Sequence, residues 1–327
     1  MSELFDVTIL GAGPTGLYAT YYATFRGLKV KLIDSLEQLG GQVSALYPEK
    51  FIFDVAGYPK VLGRDLVKNL IEQALQYVPT VCLGERVEGL EKAVDQTYLL
   101  HTNKGTHLTR ALIIAIGIGA FDPKRIPALT AATYEGKGLE YCVPKISRYK
   151  DKRLVIVGGG DSAVDWALNL LPLAASVTLV HRRDQFRAHE ESVRQLKESK
   201  VTLKLFNEIK EVRGQGCVES VVLINPNTQK EEVLSCDSIV GCLGFSASIG
   251  PLAQWGLVME KNDVVVNTRM ETNLPGVYAA GDVACYPGKV KLIAVGFGEA
   301  ATAVNNASAY VRPGTSIFPG HSSSQSH

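Results

Sequence analysis

The sequence predicts an α/β protein made of two Rossmann-like, three-layer ββα dinucleotide-binding domains. Two observations carry that expectation. Residues 7–16 (VTILGAGPTG) and 154–163 (LVIVGGGDSA) repeat one device, a short apolar strand followed by a glycine-rich turn and a helix start. Each copy is followed, at the same spacing, by a second apolar strand, one ending in Asp34 (KLIDS) and the other in His181 (VTLVHRR). In G-x-G-x-x-G the glycines have separate tasks: a tight turn, room for a pyrophosphate, and close helix–strand packing. The helix that follows points its unpaired N–H groups at the phosphates.

Taken in order, the chain opens with a strand at 6–10, the first turn, a helix to about residue 26 and Gly27 as a left-handed stop before the second strand. A helix is expected near 64–77, then β-rich material, then a buried strand at 112–117 (LIIAIG) ending in glycine. Phe121, Pro123 and Pro127 mark a crossing into the second βαβ unit, which runs from about residue 152 to a second apolar strand at 239–244 (IVGCLG). The chain then crosses back. Residues 272–282 (TNLPGVYAAGD) read as a strand closing on Gly281 and Asp282, and 292–310 as a helix. The expected organisation is a discontinuous first domain (1–118 and 247–310), a second domain (119–246) inserted into it, and a C-terminal extension (311–327) whose Pro, Gly and Ser content alone predicts a mobile tail.

The two copies diverge where an adenosine ribose is read. In the first, Gly11, Gly13, Pro14, Thr15 and Gly16 form the turn and helix start, and the Asp34 carboxylate suits ribose hydroxyls but repels a 2′-phosphate. In the second, Gly158, Gly160 and Ala163 form the turn, Asp161 and Ser162 start the helix, and His181, Arg182, Arg183 and Arg187 would welcome that phosphate. One site therefore suits FAD and the other NADP(H). Asp282 is placed to meet the ribityl or phosphate part of the flavin nucleotide. Gly41, Gln42 and Tyr47, in QLGGQVSALYPEK, offer close backbone approach, an amide and an aromatic face of flavin size.

Composition excludes several classes. Lys and Arg number 34 against 33 Asp and Glu, a net charge of +1, so no global field favours nucleic acid or an anionic membrane. The longest apolar run, 111–120, falls well short of the roughly 20 residues of a membrane span, and the N-terminal residues lack the basic and apolar regions of a secretion signal, so a cytoplasmic location is expected. Six scattered cysteines without a CxxC pair predict reduced thiols and no metal site.

The motif order GAGPTG, GGGDSA, HRRDQFRAHE and TNLPGVYAAGD resembles the low-molecular-weight thioredoxin reductases. Where that family carries CxxC, this chain has Cys142 followed by Val143, Pro144 and Lys145, so a lone thiol stands where a dithiol would cycle. Across essentially the whole chain the motifs GGQVSALYPEKFIFDVAGYP, GGGDSAVDWAL, GPLAQW and AAGDVACYPGKVKLI are more similar to the thioredoxin-reductase-like ferredoxin–NADP(+) reductases of bacteria. That resemblance implies hydride exchange between NADPH and FAD, and single-electron exchange with ferredoxin or flavodoxin. It implies FAD contacts from Thr15, Asp34, Gln42, Tyr47, Val87, Phe121, Asp282 and Ser323, with Tyr47 stacked on one flavin face. It further implies a homodimer whose C-terminal extension covers the other flavin face through His321, against the mobile tail that composition predicts. No side-chain acid or base is expected at the hydride step. An NADPH-dependent disulfide or low-molecular-weight thiol reductase working through Cys142 is the alternative. Basic docking surfaces for an acidic partner are sought at Lys145, Arg148, Lys150, Lys152 and Arg153, or at Lys289 and Lys291.

Overall fold

The computed structural model describes residues 3–320 except 94, 144 and 319, and leaves the side chains at 120–122 and 247 undescribed. The chain begins with β1 (Leu4–Leu10), α1 (Pro14–Phe25) and β2 (Val30–Ile33). Pro14 fits the first turn of α1 because an N–H there has no intrahelical partner, and Gly27, at φ +71°, turns the chain out of it. Next come α2 (Gly41–Leu46), α3 (Gly63–Ala74), β3 (Thr80–Cys82) and a meander of β4 (Val87–Lys92), β5 (Tyr98–Thr102) and β6 (Gly105–Ile114).

The middle of the chain supplies β7 (Leu139–Glu140), β8 (Arg153–Val157), α4 (Asp161–Leu170), β9 (Ser176–His181), α5 (Glu190–Glu198) and β10 (Thr202–Leu205). A second meander, β11 (Glu208–Arg213), β12 (Ser220–Ile224) and β13 (Glu231–Ser235), precedes β14 (Ser238–Gly241). The last part adds β15 (Val277–Ala279) and α6 (Ile293–Val311). These elements divide into two compact units, Met1–Phe121 with Ala247–His327, and Asp122–Ser246.

In the first unit the sheet order is β3-β2-β1-β6-β5-β4, with β15 also paired to β6. Strands β1, β2, β3, β6 and β15 pair in parallel, with Ile9 opposite both Leu32 and Ile113, while β4, β5 and β6 pair antiparallel. Parallel strands covered on both faces read as unbroken apolar runs. Accordingly Val7, Ile9, Leu32, Leu112, Ile113 and Ile114 are fully buried. Helix α1 packs on both α3 and α6. Because β2 and β6 flank β1 on opposite sides, the winding reverses at the C-terminal end of β1, where such sheets bind ligands.

The second unit has an all-parallel sheet, β7-β14-β8-β9-β10. Alternation along β8 shows its three layers. Leu154 and Ile156 pack with Ala163, Trp166 and Leu170 of α4, whereas Val155 and Val157 pack with Val212, Val221 and Leu223 of the meander. Several boundaries differ from the sequence expectation: the strands read at 239–244 and 272–282 are confined to Ser238–Gly241 and Val277–Ala279. The strand expected at 112–117 is the end of a ten-residue strand closing at Ile114, because Gly117 and Gly119 take φ of +61° and +80°. The helix expected to reach residue 77 ends at Ala74, and Val78 turns at φ +51°. Among the described residues no helix is long and apolar enough to cross a membrane.

Candidate functional site

A cleft of about 1420 Å³, mouth included, opens in the first unit at the end of β1. Gly11, Gly13, Pro14, Thr15, Asp34, Gly41, Gln42, Tyr47, Val87, Gly281 and Asp282, all singled out in the sequence, line it. Gly16 lies behind the turn, where a Cβ would sit 1.7 Å from the Gly11 carbonyl oxygen, which is the close packing the third glycine exists to allow. Gly11 itself, at φ +100°, leaves only 2.4 Å between a built Cβ and the Ala115 carbonyl oxygen. Gly13, by contrast, has nothing within 4 Å of such a Cβ, so open space adjoins the backbone where a pyrophosphate would lie. Helix α1 has no side-chain cap, so its first N–H groups stay available. Thr15 joins this turn to the far end of the cleft: Gly281 and Gly296 are glycine because a Cβ on either would come within 2.8 Å or 2.4 Å of its hydroxyl.

Two carboxylates mark the ends of the cleft. Asp34 is 9% exposed and accepts the N–H groups of Ala12 and of Leu36, the latter at 2.8 Å. Burial lifts its carboxyl above the usual range, against the pull of those two donors. Asp282 is likewise raised by burial and opposed by Lys289 and Lys291. The Tyr47 phenol is pushed up to about 12 by burial first and by Asp282 and Asp54 second, so it is neutral at physiological pH. Trp255, on the same wall, holds a buried indole N–H with no hydrogen-bond partner among the described residues. A glycine cradle with open space, an uncapped helix start, a ribose-reading carboxylate and a largely apolar wall fit a flavin dinucleotide.

In the second unit Gly158 is held against the Cys242 carbonyl, and Gly160 caps α4, whose first turn carries Asp161, Ser162 and Ala163. The segment after β9 folds back on this turn. The Arg187 N–H donates to the Gly159 carbonyl at 2.7 Å, and the His189 N–H donates to Asp161 Oδ1 at 2.9 Å. His181 Nε2 donates to the Gln185 carbonyl at 3.1 Å, its ring stacks on Phe186, and a Cβ at Gly159 would collide with it. With Nε2 occupied by that carbonyl, the His181 ring helps shape the loop. Arg182, Arg183 and Arg187 are exposed and form no ion pair among the described residues.

Three expectations fall outside this description: His321, Ser323 and the Phe121 side chain. One is corrected. Lys289 is not a docking residue, because its side chain is 6% exposed and its ammonium is paired with Glu299. Lys291 is paired with Asp263. Of the other basic run, Arg153 is held bidentately by Asp237 and Arg148 lies beside Glu140, leaving Lys145 and Lys150 exposed. The sequence did not point to Glu85, Arg86, Gly117, Leu292 or the stretch 248–252 as cleft residues. Nor did it foresee that Cys82, Glu85 and His107 place ligand-type atoms within 4.8 Å of one another. His107 spends Nδ1 on Lys31 at 2.7 Å and Nε2 on Glu85 at 2.6 Å, and Lys31 can only donate when charged, so the group closes on itself as a hydrogen-bond chain.

Two dinucleotide folds, one inserted in the other, define a pyridine-nucleotide oxidoreductase, and residues 5–307 match the family model of the pyridine nucleotide-disulphide oxidoreductases. The chain is 52% identical to ferredoxin–NADP reductase of Halalkalibacterium halodurans over 98% of both chains, and 51% identical to that of Symbiobacterium thermophilum over 99% of this chain and 98% of the other. It belongs to the ferredoxin–NADP reductases of this thioredoxin-reductase-like type. Among solved structures, thioredoxin reductase of T. acidophilum superposes with a TM-score of 0.77 at 26% identity, covering 92% of this chain and 96% of that one. Lactococcus lactis thioredoxin reductase also gives 0.77, at 27% identity, covering 94% and 99%.

Proposed function

We propose that the first unit holds FAD, that the second receives NADP(H), and that the chain exchanges electrons between NADPH and ferredoxin or flavodoxin. The observation that carries this reading is the contrast between the ends of two like-built strands: a buried carboxylate at Asp34, and exposed guanidinium groups at Arg182, Arg183 and Arg187 that form no ion pair among the described residues. A flavin accepts a hydride and gives up electrons one at a time, which a nicotinamide cannot do and an iron–sulfur protein requires. The residues of this chain contribute binding and orientation. The glycine turn and α1 hold the pyrophosphate and Asp34 the ribose. Gly41, Gln42, Val87 and the neutral Tyr47 phenol border the ring system, and Asp282 faces its ribityl side. In the second unit Gly158, Gly160, Asp161, Ser162 and Ala163 take the NADP(H) pyrophosphate, and the arginines its 2′-phosphate. Phe121, Ser323 and His321 are assigned to the flavin by family resemblance.

A homodimer is supported by α1, which carries Tyr18, Tyr21, Tyr22 and Phe25 half-exposed and packed on one another, with Tyr77 tilted against Tyr21 and Phe25, a larger aromatic face than a lone surface needs. Among the described residues no disulfide joins any of the six cysteines, in keeping with a cytoplasmic setting. The disulfide-reductase alternative finds little support: burial pushes the Cys142 thiol up and away from the reactive thiolate, and an exposed Lys145 follows where a second sulfur would be. Cytochrome c reduction by NADPH, run with and without ferredoxin, tests the proposal. Strong dependence on ferredoxin is expected, and rates indifferent to it would refute the assignment of partner.

A further inference from the structure

Behind the Gly281–Asp282 turn lies an ionic network whose own side chains do not line the cleft but which touches it through Gly281. Glu299, on α6, is 5% exposed and uses both carboxylate oxygens. Oε2 accepts the Gly281 N–H at 2.8 Å, and Oε1 accepts the Tyr286 hydroxyl and the Lys289 ammonium. Lys289 is as buried as its partner. Gly281 sits at φ +79° as the first residue of a 3-10 turn, where an N–H has no intrahelical acceptor, so this side chain is what holds that N–H. The same helix carries Gly296, which makes room for Thr15 of the first glycine turn. One helix thus anchors both ends of the cleft.

We propose that Glu299 and Lys289 are positioning residues that hold Asp282 toward the flavin and jointly set the charge beneath it. Resting on the assignment of FAD to this cleft, the inference follows from charge and geometry. Asp282, Glu299 and Lys289 sum to one negative charge, and Lys291 is already matched by Asp263 at 2.8 Å. Low-polarity surroundings make each of these charges felt at a distance. Asp282 feels them directly, since Lys289 pulls its carboxyl down while Glu299 pushes it up. An ammonium left without Glu299 would favour added electrons on a nearby ring, and a carboxylate left without Lys289 would oppose them.

The test measures the FAD dissociation constant by fluorescence quenching and the two-electron midpoint potential in the parent, Glu299→Gln, Lys289→Met and the double variant Glu299→Met/Lys289→Met. Glu299→Gln should raise the reduced-to-oxidised ratio at fixed potential about tenfold, equivalent to about 30 mV, and Lys289→Met should lower it by a similar factor. The double variant keeps the charge sum but leaves the Gly281 N–H without its acceptor. Its potential should stay within about threefold of the parent while FAD binding weakens at least tenfold. Removing one partner of a buried pair can prevent folding, and in that event the double variant decides alone. Shifts of like sign in the two single variants, or a double variant that binds FAD as the parent does, would overturn the proposal. A parent chain that takes up no FAD would instead sink the cofactor assignment on which it rests.

Discussion

Replacing Arg182 and Arg183 together by alanine isolates nucleotide choice from folding. Both side chains are exposed and form no ion pair among the described residues, and the loop that carries them is tied to the glycine turn by backbone groups of Arg187 and His189, which the substitution leaves in place. Stability should therefore change by no more than about 0.5 kcal/mol, as for surface changes in general. A charge-assisted hydrogen bond is worth about 1.5–3 kcal/mol. Two such bonds to a 2′-phosphate would total about 3–6 kcal/mol, and solvent screening at an exposed site reduces that. A single bond at the weak end already corresponds to about tenfold. The expectation is a loss of at least tenfold in kcat/KM with NADPH, carried by KM, with NADH turnover within about twofold of the parent. Steady-state dye reduction with each nicotinamide measures both. An equal loss with NADPH and NADH would refute the reasoning, because it would mean that the arginines support the loop and do not read the phosphate.

Three further outcomes follow from particular contacts. Gly16→Ala should yield protein lacking flavin and less stable by a few kcal/mol, since its Cβ would lie 1.7 Å from the Gly11 carbonyl oxygen; thermal unfolding and absorbance decide it. Cys142→Ser should leave ferredoxin-dependent turnover within about twofold, because burial, then Glu140, pushes that thiol up; a lost activity would restore the disulfide-reductase reading. The third outcome concerns acid. Asp237 is held at about 2, chiefly by its hydrogen bond to Arg153, below its value of about 3.9 in an unfolded chain, so the pair stabilises the fold above about pH 4 and ceases to do so as pH falls toward 2. Both side chains are partly exposed, so the contribution is below about 1 kcal/mol. Asp237→Asn should be less stable than the parent at pH 6 and indistinguishable near pH 2, and a gap that persists in acid would show that the pair is not its source.

The glycine turns were legible because they are local. Gly11 to Gly16, and Asp34 beyond them, report a backbone requirement that spacing alone expresses, as do Gly158 to Ala163. What sequence could not express was the company that distant segments keep. Residues 248–252, Gly117 and Leu292 reach the same cleft because β6 lies beside β1, α6 packs on α1, and the segment at 250–254 packs on β4, juxtapositions without local pattern. Lys289 looked like surface charge because lysine usually is, and its burial depends on Glu299 one helix away. Spacing put His181 at the end of β9, but not that its Nε2 donates to a carbonyl four residues later, which composition cannot reveal.

The most direct test of two different adenine nucleotides serving one electron path is anaerobic stopped-flow mixing of the purified chain with NADPH or NADH, followed by oxidised ferredoxin. The account predicts a flavin absorbance band that bleaches much faster with NADPH than with NADH and returns when ferredoxin is added. A chain without the band, or one whose bleached band ferredoxin does not restore, would contradict it.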